Sequence, residues 1–270
     1  SLFRDPSAWY HIVWAVDTTQ GSASDRVKLY VNGTLRTDIS GTYPSQNYDT
    51  AFNNTEVQRI GARSYSATQY WDGYMSDVYL IDGQALAPTE FGETNDNGIW
   101  IPKKYSGSFG TNGFKLEFKQ SGTSANSSGM GADTSGNAHH FTPTNLGSYA
   151  QGIDTPTNNY CTLNPLATNP SLPLGLAGGN TQSYDTNNGS WRPVGTTMCF
   201  AKGKWYFENK YSGANSLMCG LFDADNITAQ AIWEGSSDRM PGYNSDGNGF
   251  GYRNNGTLYH NGNTTSGKTS

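Results

Sequence analysis

Pairs of carboxylates are the residues of this chain whose spacing comes nearest to supporting hydrolysis of a glycosidic bond. That reaction needs two carboxyl groups, about 5 to 5.5 Å apart when the configuration of the sugar is retained. Glu90 and Glu93 flank a predicted helical turn, and Asp223 and Asp225 follow a predicted strand. Neither pair lies among the aromatic residues that line a sugar cleft. The sequence therefore predicts a protein that is not an enzyme, with a polysaccharide-degrading activity left as an alternative.

Aspartates near predicted turns could supply the oxygen ligands that Ca²⁺ prefers. The candidates for a calcium site are Asp72, Asp77, Asp82 and Asp96. Their spacing does not match a recognisable calcium loop, and solvated, turn-forming aspartates are the alternative interpretation. The sequence requires no cofactor, and calcium is the one ion for which it offers candidate ligands.

The four histidines do not form a metal or catalytic pattern. His139 and His140 are adjacent, so on a strand they would point to opposite faces and could not share one ion. His11 alternates with apolar residues and is predicted to be a core or edge residue. His260 lies beside a turn without a nucleophile that it could activate.

Aromatic residues in predicted loops are the remaining candidates for ligand binding. A tyrosine or tryptophan ring can stack on the apolar face of a sugar while neighbouring amides bind its hydroxyl groups. Tyr43, Tyr65, Tyr70 and Trp71 lie in or beside loops rich in Asn, Asp and Gly. These four are our candidate ligand-binding residues; the alternative is that they pack between sheets or against other subunits.

Composition excludes several classes of protein. The 270 residues carry 22 acidic and 17 basic side chains, for a formal net charge of −5, and no basic cluster is longer than Lys103-Lys104, which argues against nucleic acid as a partner. No apolar run approaches the roughly 20 residues that span a bilayer, so no membrane insertion is expected. The three cysteines have neither zinc spacing nor disulfide density and are predicted to be free thiols.

The elements that must position these residues are short strands. Val27, Leu29 and Val31 alternate up to Asn32-Gly33, and Leu35 continues the pattern beyond it. Asn-Gly between alternating runs is a strong hairpin signal, because both turn residues tolerate positive φ. Further strands are predicted within 56–63, 70–86, 114–118 and 204–210, and in a second hairpin around Asn255-Gly256. The 33 glycines and the low charged fraction of 14% also favour an all-β chain with many turns.

Changes in composition divide the chain into three parts. Residues 1–119 contain the first succession of strands and are predicted to be one antiparallel β-sandwich. Residues 120–190 are rich in Gly, Ser, Asn and Pro and are predicted to be an extended connector. Residues 191–270 contain the second succession of strands and are predicted to be another sandwich. We expect very little helix, apart from a single turn at Pro88.

Three groups of strings resemble known families. The segments Trp9–Val13, Leu29–Gly33 and Ile81–Leu86 resemble a laminin-G-like, concanavalin A-type jelly roll, whereas Gly203–Glu208 and the hairpin from Tyr252 to Tyr259 resemble a SPRY-like sandwich. The strings DTSGNAHHF and DTPTNNY between them look like the connector that joins such modules in structural proteins of marine tailed bacteriophages. The glucan-hydrolysing members of the first family carry a Glu-x-Asp-x-x-Glu strand, which this sequence lacks.

The resemblance implies a virion protein located at the surface of the particle. It would be a tail fibre, capsid fibre or decoration protein that contacts a host glycan or protein. It would also bind other virion subunits and form a homo-oligomer present in several copies. A purely structural assembly protein is the alternative. Strands of the family are expected before Trp9 and after the last hairpin, so we interpret the chain as a piece of a longer polypeptide. The face of Leu29, Val31 and Leu35 is then expected to be covered by another segment or subunit.

Overall fold

A computed structural model describes most of the chain. The described residues are 8–38, 40–51, 53–63, 69–71, 73–147, 150–168, 174–184, 191–200, 202–213, 217–222, 241–242 and 249–265. Their structure is all-β, as predicted, and the helical segments that lie wholly among them are two single 3-10 turns, η1 at Ala23–Asp25 and η2 at Pro88–Glu90. The described residues contain no helix long and apolar enough to cross a membrane.

The strands are short and pair in small antiparallel sheets. They are β1 Ile12–Val16, β2 Val27–Val31, β3 Thr34–Leu35, β4 Val78–Leu80, β5 Gly92–Thr94, β6 Trp100–Pro102, β7 Phe114–Leu116, β8 Leu163–Thr168, β9 Gly175–Ala177, β10 Gln182–Tyr184, β11 Val194–Thr196, β12 Met218–Leu221, β13 Phe250–Arg253, β14 Leu258–His260 and β15 Asn263–Thr265. The chain forms two compact units, one of which is Ala8–Tyr160 and the other of which includes Cys161–Ser270. The boundaries at 119 and 190 predicted from composition stay predictions.

The opening hairpin is confirmed. β2 pairs antiparallel with both β1 and β3, and Asn32 and Gly33 adopt φ of 48° and 76°, as a two-residue turn between twisted strands requires. The turn places Val31 opposite Thr34 and Tyr30 opposite Leu35. Since opposite residues share a face, Leu35 lies on the other face from Leu29 and Val31. The prediction that these three share one face is therefore wrong.

The core of Ala8–Tyr160 is aromatic. Tyr79, Phe91, Tyr105 and Phe109 form a closed ring of side chains, with centroids 5.0 to 6.1 Å apart. Beside them β4 pairs with β7, whose Leu116 is only 1% exposed. Phe91 reaches this core through η2, which begins at Pro88 as predicted.

The Gly/Ser-rich segment after β7 packs into this same unit. Met130 and Ala132 are buried, and Asp133 forms a bridge with Leu116 of β7. Asp154 accepts a hydrogen bond of 3.0 Å from the Trp9 indole N–H. The polar residues of this segment therefore form hydrogen bonds that connect it to other parts of the unit.

The unit that includes Cys161–Ser270 contains a four-stranded sheet in the order β12-β13-β14-β15. The hairpin around Asn255-Gly256 is confirmed, and a further one turns at Asn261-Gly262, where both residues have positive φ.

The strand predicted over 204–210 is wrong, because these residues do not pair with another strand in the described structure. The strand predicted over 56–63 is wrong for the same reason. Alternation of side chains predicts two faces, but a strand also needs a neighbour for its backbone groups.

Candidate aromatic binding site

Tyr70 and Trp71 form the most exposed pair among the predicted binding residues. Their side chains are 74% and 57% exposed. The Trp71 backbone N–H donates a hydrogen bond of 2.8 Å to the Gly61 carbonyl. The pair is therefore presented to solvent from a backbone that is tied to a neighbouring loop.

Gly73 allows the Trp71 side chain to lie close to the backbone, whereas the space around Gly61 is that of an ordinary van der Waals contact. A Cβ at Gly73 would come within 3.0 Å of the indole Nε1, and one at Gly61 would lie 3.9 Å from the Trp71 Cβ and 3.7 Å from the Met75 Cε. The indole thus lies over Gly73, where it leaves more than half of its surface open. A flat, partly open ring on a supported backbone is suited to stacking on the apolar face of a sugar.

Tyr43 and Tyr65 complete the predicted set of aromatic residues. Tyr43 is 38% exposed and precedes Pro44, whose carbonyl accepts a hydrogen bond of 2.8 Å from the Arg26 guanidinium. Hydrogen bonds and ring contacts of the described residues do not join Tyr43 to Trp71. Tyr65 lies outside the described residues. Of the three predicted residues that the structure describes, only the sequence neighbours Tyr70 and Trp71 therefore lie together.

The aspartates predicted as calcium ligands do not converge in the described structure. Asp82 accepts hydrogen bonds from the Asn53 side chain and the Asn112 backbone, and Asp77 accepts one from the Ser76 hydroxyl group. Asp96 is exposed on a turn, and Asp72 lies outside the described residues. No group of three or more His, Cys, Asp or Glu in the described part of the chain could hold a metal ion, and calcium binding stays a prediction.

Of the carboxylate pairs considered for hydrolysis, one is described. Glu90 ends η2 and Glu93 lies in the middle of β5, and both side chains are exposed. Asp223 and Asp225 lie outside the described residues. The described pair is on an open surface and therefore lacks the enclosed geometry in which one carboxyl group can be kept protonated.

Each of the four histidines lies within a structural contact. His140 Nδ1 accepts a hydrogen bond from the Asp133 N–H, and a ring nitrogen of His139 lies 3.0 Å from the Thr111 carbonyl. His260 stacks on Phe250 with ring centroids 4.1 Å apart. Each of these three rings therefore has a partner within the described structure.

His11 accepts a hydrogen bond through Nδ1 from the Trp100 indole N–H at 3.0 Å. Burial lowers the pKa of His11 below its usual 6.5. The neutral ring is the form that can accept this bond, so His11 holds β6 against the start of β1.

Sequence patterns missed a second group of exposed aromatics. Trp205 stacks on Phe200 with centroids 5.2 Å apart and planes 21° from parallel, and Tyr206 and Phe207 beside it are also exposed. Their alternation predicted a strand. Several aromatic residues close together in the sequence can indicate an exposed binding surface. The same pattern is equally typical of a buried strand.

All three cysteines are free thiols, as predicted. Cys161 and Cys199 are exposed, and Cys219 is half-buried in β12. Burial raises the pKa of the Cys219 thiol, which keeps it protonated and weakly nucleophilic at neutral pH. The Cys219 thiol is therefore not activated as a nucleophile.

Comparison with known proteins relates the first part of the chain to one family. No curated protein matches the chain, and no solved structure matches it. The model of the concanavalin A-like lectin/glucanases superfamily matches residues 3–90, about a third of the sequence, and this segment includes Tyr70 and Trp71. The N-terminal third is therefore similar to a superfamily of lectins and glucanases.

Proposed function

We propose that this chain is a non-enzymatic carbohydrate-binding protein of the virion surface, in which Tyr70 and Trp71 stack on a host glycan. The observation that carries the sugar-binding part is the exposure of both rings on a hydrogen-bonded backbone. The similarity of residues 3–90 to lectins and glucanases supports it. The virion location rests on the resemblance of the connector strings to those of phage structural proteins.

The mechanism would be weak stacking at each site, strengthened by several copies on one particle. A ring stacked on a sugar contributes about 1 kcal/mol, so a single site of this kind binds weakly. Linking many copies raises the apparent affinity by about 10² to 10⁴ without new contacts. Other virion subunits and a host-surface glycan or protein are the proposed partners, and neither nucleic acid nor membrane insertion is included.

A glycan array tests the binding proposal. We expect wild-type protein to bind one class of surface glycan, and Trp71→Ala to raise the Kd for the best array sugar about fivefold, since loss of stacking removes about 1 kcal/mol. Tyr70→Ala should weaken the same binding.

Tyr48→Ala is the matched control, because Tyr48 is a similarly exposed tyrosine of the same unit at 55%. It should bind as the wild type does. Binding that is lost equally in all three variants, or that is absent from the wild type, contradicts the proposed site.

Two further measurements test the other parts of the proposal, namely that the protein is not an enzyme and that it belongs to the virion. Incubation of the protein with the bound polysaccharide should release no reducing ends, and release would show an enzyme instead. Mass spectrometry of purified phage particles from the source should detect the chain. A detected chain that binds no sugar would favour the alternative of a purely structural assembly protein, which the exposed apolar residues of β1 support.

A further inference from the structure

β1 is an edge strand with an exposed apolar face. The side chains of Ile12, Trp14 and Val16 point to one face and are 43%, 59% and 40% exposed. On that same face, their partners in β2 are apolar as well: Val31, Leu29 and Val27. These β2 side chains are half-buried or buried, so the uncovered part of the face lies along β1.

Ile12, Trp14 and Val16 also have backbone N–H and C=O groups that do not bond to β2. His11 and Asp17 pair with β2 through backbone hydrogen bonds to Asn32 and Arg26, and alternation along an antiparallel ladder assigns 13 and 15 to that side too. The N–H and C=O groups of Ile12, Trp14 and Val16 therefore point away from β2. No partner for them lies among the described residues.

The sequence of β1 lacks the features that normally protect an edge. Natural edge strands carry lysine, proline, inward charges or bulges that block pairing with another chain. The strand reads IVWAV, and its register with β2 is continuous. A fourth strand could therefore add to this edge without meeting a charged side chain, a proline or a bulge within β1.

We propose that β1 pairs with β1 of a second copy of this chain, antiparallel, with Trp14 on the two-fold axis. In this register Trp14 lies opposite Trp14 of the other copy, and Ile12 lies opposite Val16, each pair exchanging both backbone hydrogen bonds. The exposed side chains then pack against their counterparts across the interface, as cross-strand aromatic and β-branched pairs do.

The charges at the ends of the strand are compatible with this register. Asp17 of one copy lies opposite His11 of the other, so that like charges do not meet at either end. A register displaced by two residues would leave one end of each strand unpaired. The register centred on Trp14 is therefore the one that pairs all five residues of β1.

The interface is small, because it consists of one strand from each copy. We expect a Kd of roughly micromolar size, and a mass that rises from 29.3 kDa toward twice that value with concentration. Multi-angle light scattering of the whole chain over about 1 to 200 µM measures this rise. Trp14→Lys should abolish it.

Leu35→Lys is the matched control. Leu35 is 42% exposed and also apolar, but it lies on the other face and at the opposite edge of the sheet. This variant should dimerise as the wild type does. If it weakens the dimer as much as Trp14→Lys, general destabilisation explains both variants and the proposal is wrong.

A cysteine variant tests the register directly. Opposite residues of a hydrogen-bonded pair have Cα atoms about 5.5 Å apart, which lies within the range that a disulfide spans. Under mild oxidation Trp14→Cys should form a dimer whose 14–14 linked peptide is found by mass spectrometry, whereas Leu35→Cys should not link to itself. This identification separates the new bond from any formed by the three native thiols.

Two results would overturn the proposal. One is a chain that stays monomeric at about 200 µM while Trp14→Cys forms no linked peptide above the Leu35→Cys background. The other is a monomer whose Trp14 is protected from collisional quenching, which would mean that another segment of the same chain covers β1. The proposal does not depend on sugar binding, so failure of the glycan experiments leaves it intact.

Discussion

Asp133 organises the polar segment that follows β7. Its carboxylate accepts hydrogen bonds from the backbone N–H groups of Lys115, Ser135 and His139 and from the Ser135 hydroxyl, at 2.8 to 2.9 Å. The residue is 7% exposed. A buried carboxylate is tolerated only when its charge is paired or fully hydrogen-bonded, and here backbone donors from two segments meet that requirement.

Replacement of Asp133 should therefore destabilise the unit Ala8–Tyr160. Asp133→Ala leaves several part-buried N–H groups without an acceptor, and we expect a loss of about 3 kcal/mol in the free energy of unfolding. Asp49→Asn, at an exposed aspartate, is the control and should change stability by less than about 0.5 kcal/mol. Urea denaturation followed by tryptophan fluorescence measures both. Equal stabilities for the Asp133 variant and the wild type would contradict the assigned role.

The contribution of Asp133 should also depend on pH. Burial raises its pKa, but the hydrogen bonds from Lys115, Ser135 and His139 outweigh burial and lower the pKa below the usual 3.8. Since the folded pKa is the lower one, the stabilisation is complete above the unfolded value and is lost as pH falls through the folded value. The difference in stability between the wild type and Asp133→Asn should thus be larger at about pH 7 than at about pH 3. If the stability difference between the wild type and Asp133→Asn grows as the pH falls, the pKa of Asp133 is not lowered on folding.

At the scale of elements, the Asn32-Gly33 turn is held in place by the Trp100 side chain of β6. A Cβ built on Gly33 comes within 2.5 Å of the indole, and one built on Gly92 comes equally close. The indole therefore occupies space that the two glycines leave open. Together with the hydrogen bond from Trp100 to His11, this packing joins the first sheet to the β5-β6 pair.

Gly33→Ala should cost more than the strain of positive φ alone. Gly83 has the same φ of about 77° but nothing within 4 Å of its Cβ position, so Gly83→Ala measures that strain, which is about 1 kcal/mol. Gly33→Ala must also displace Trp100 and should cost about 2 to 4 kcal/mol in total. Thermal or urea unfolding compares the two. Equal costs would mean that the indole moves away freely.

At the scale of elements, the sequence predicts well those features that depend on one or two neighbouring residues, such as turns and helix starts. Asn32-Gly33 and Asn255-Gly256 predict turns because Asn and Gly accept positive φ, which both residues adopt in the first turn and Gly256 adopts in the second. Pro88 predicts the start of η2 because its φ is fixed. The contact of Trp100 with Gly33 is not predictable in the same way, since it joins positions far apart in the chain. The segment 204–210 has the side-chain alternation of a strand, but alternation does not say whether a neighbouring strand exists.

The candidate binding site, too, could be predicted only in part from the sequence. Residue types and loop position marked Tyr70 and Trp71 as candidates, and the structure adds their exposure and the bond from Trp71 to Gly61. Sequence could not distinguish these rings from buried ones, because burial depends on which distant segments pack over each loop. The exposed pair of Trp205 and Phe200 was missed for the same reason.

At the scale of the whole molecule, the division of the chain into units has a direct experimental test. Composition places the end of the first module at Lys119, whereas the compact unit extends to Tyr160. The segment between these positions supplies the buried Met130 and Ala132 as well as Asp133, and Asp154, which binds the Trp9 side chain. A chain that stops at Lys119 would lack all of these contacts.

We therefore expect a truncated chain ending at Tyr160 to fold and one ending at Lys119 not to fold. The longer chain keeps the bridge from Asp133 to Leu116 and should unfold cooperatively in urea, with dispersed amide resonances in an NMR spectrum. The shorter chain exposes Leu116 and loses the acceptor for the Lys115 N–H, so it should give the narrow dispersion of an unfolded or aggregating chain. Asp133→Ala in the longer chain is the informative intermediate, because it keeps the apolar contacts and removes only the carboxylate. If the chain ending at Lys119 folds as stably as the longer one, residues 120–160 are a dispensable connector, as their composition alone predicts.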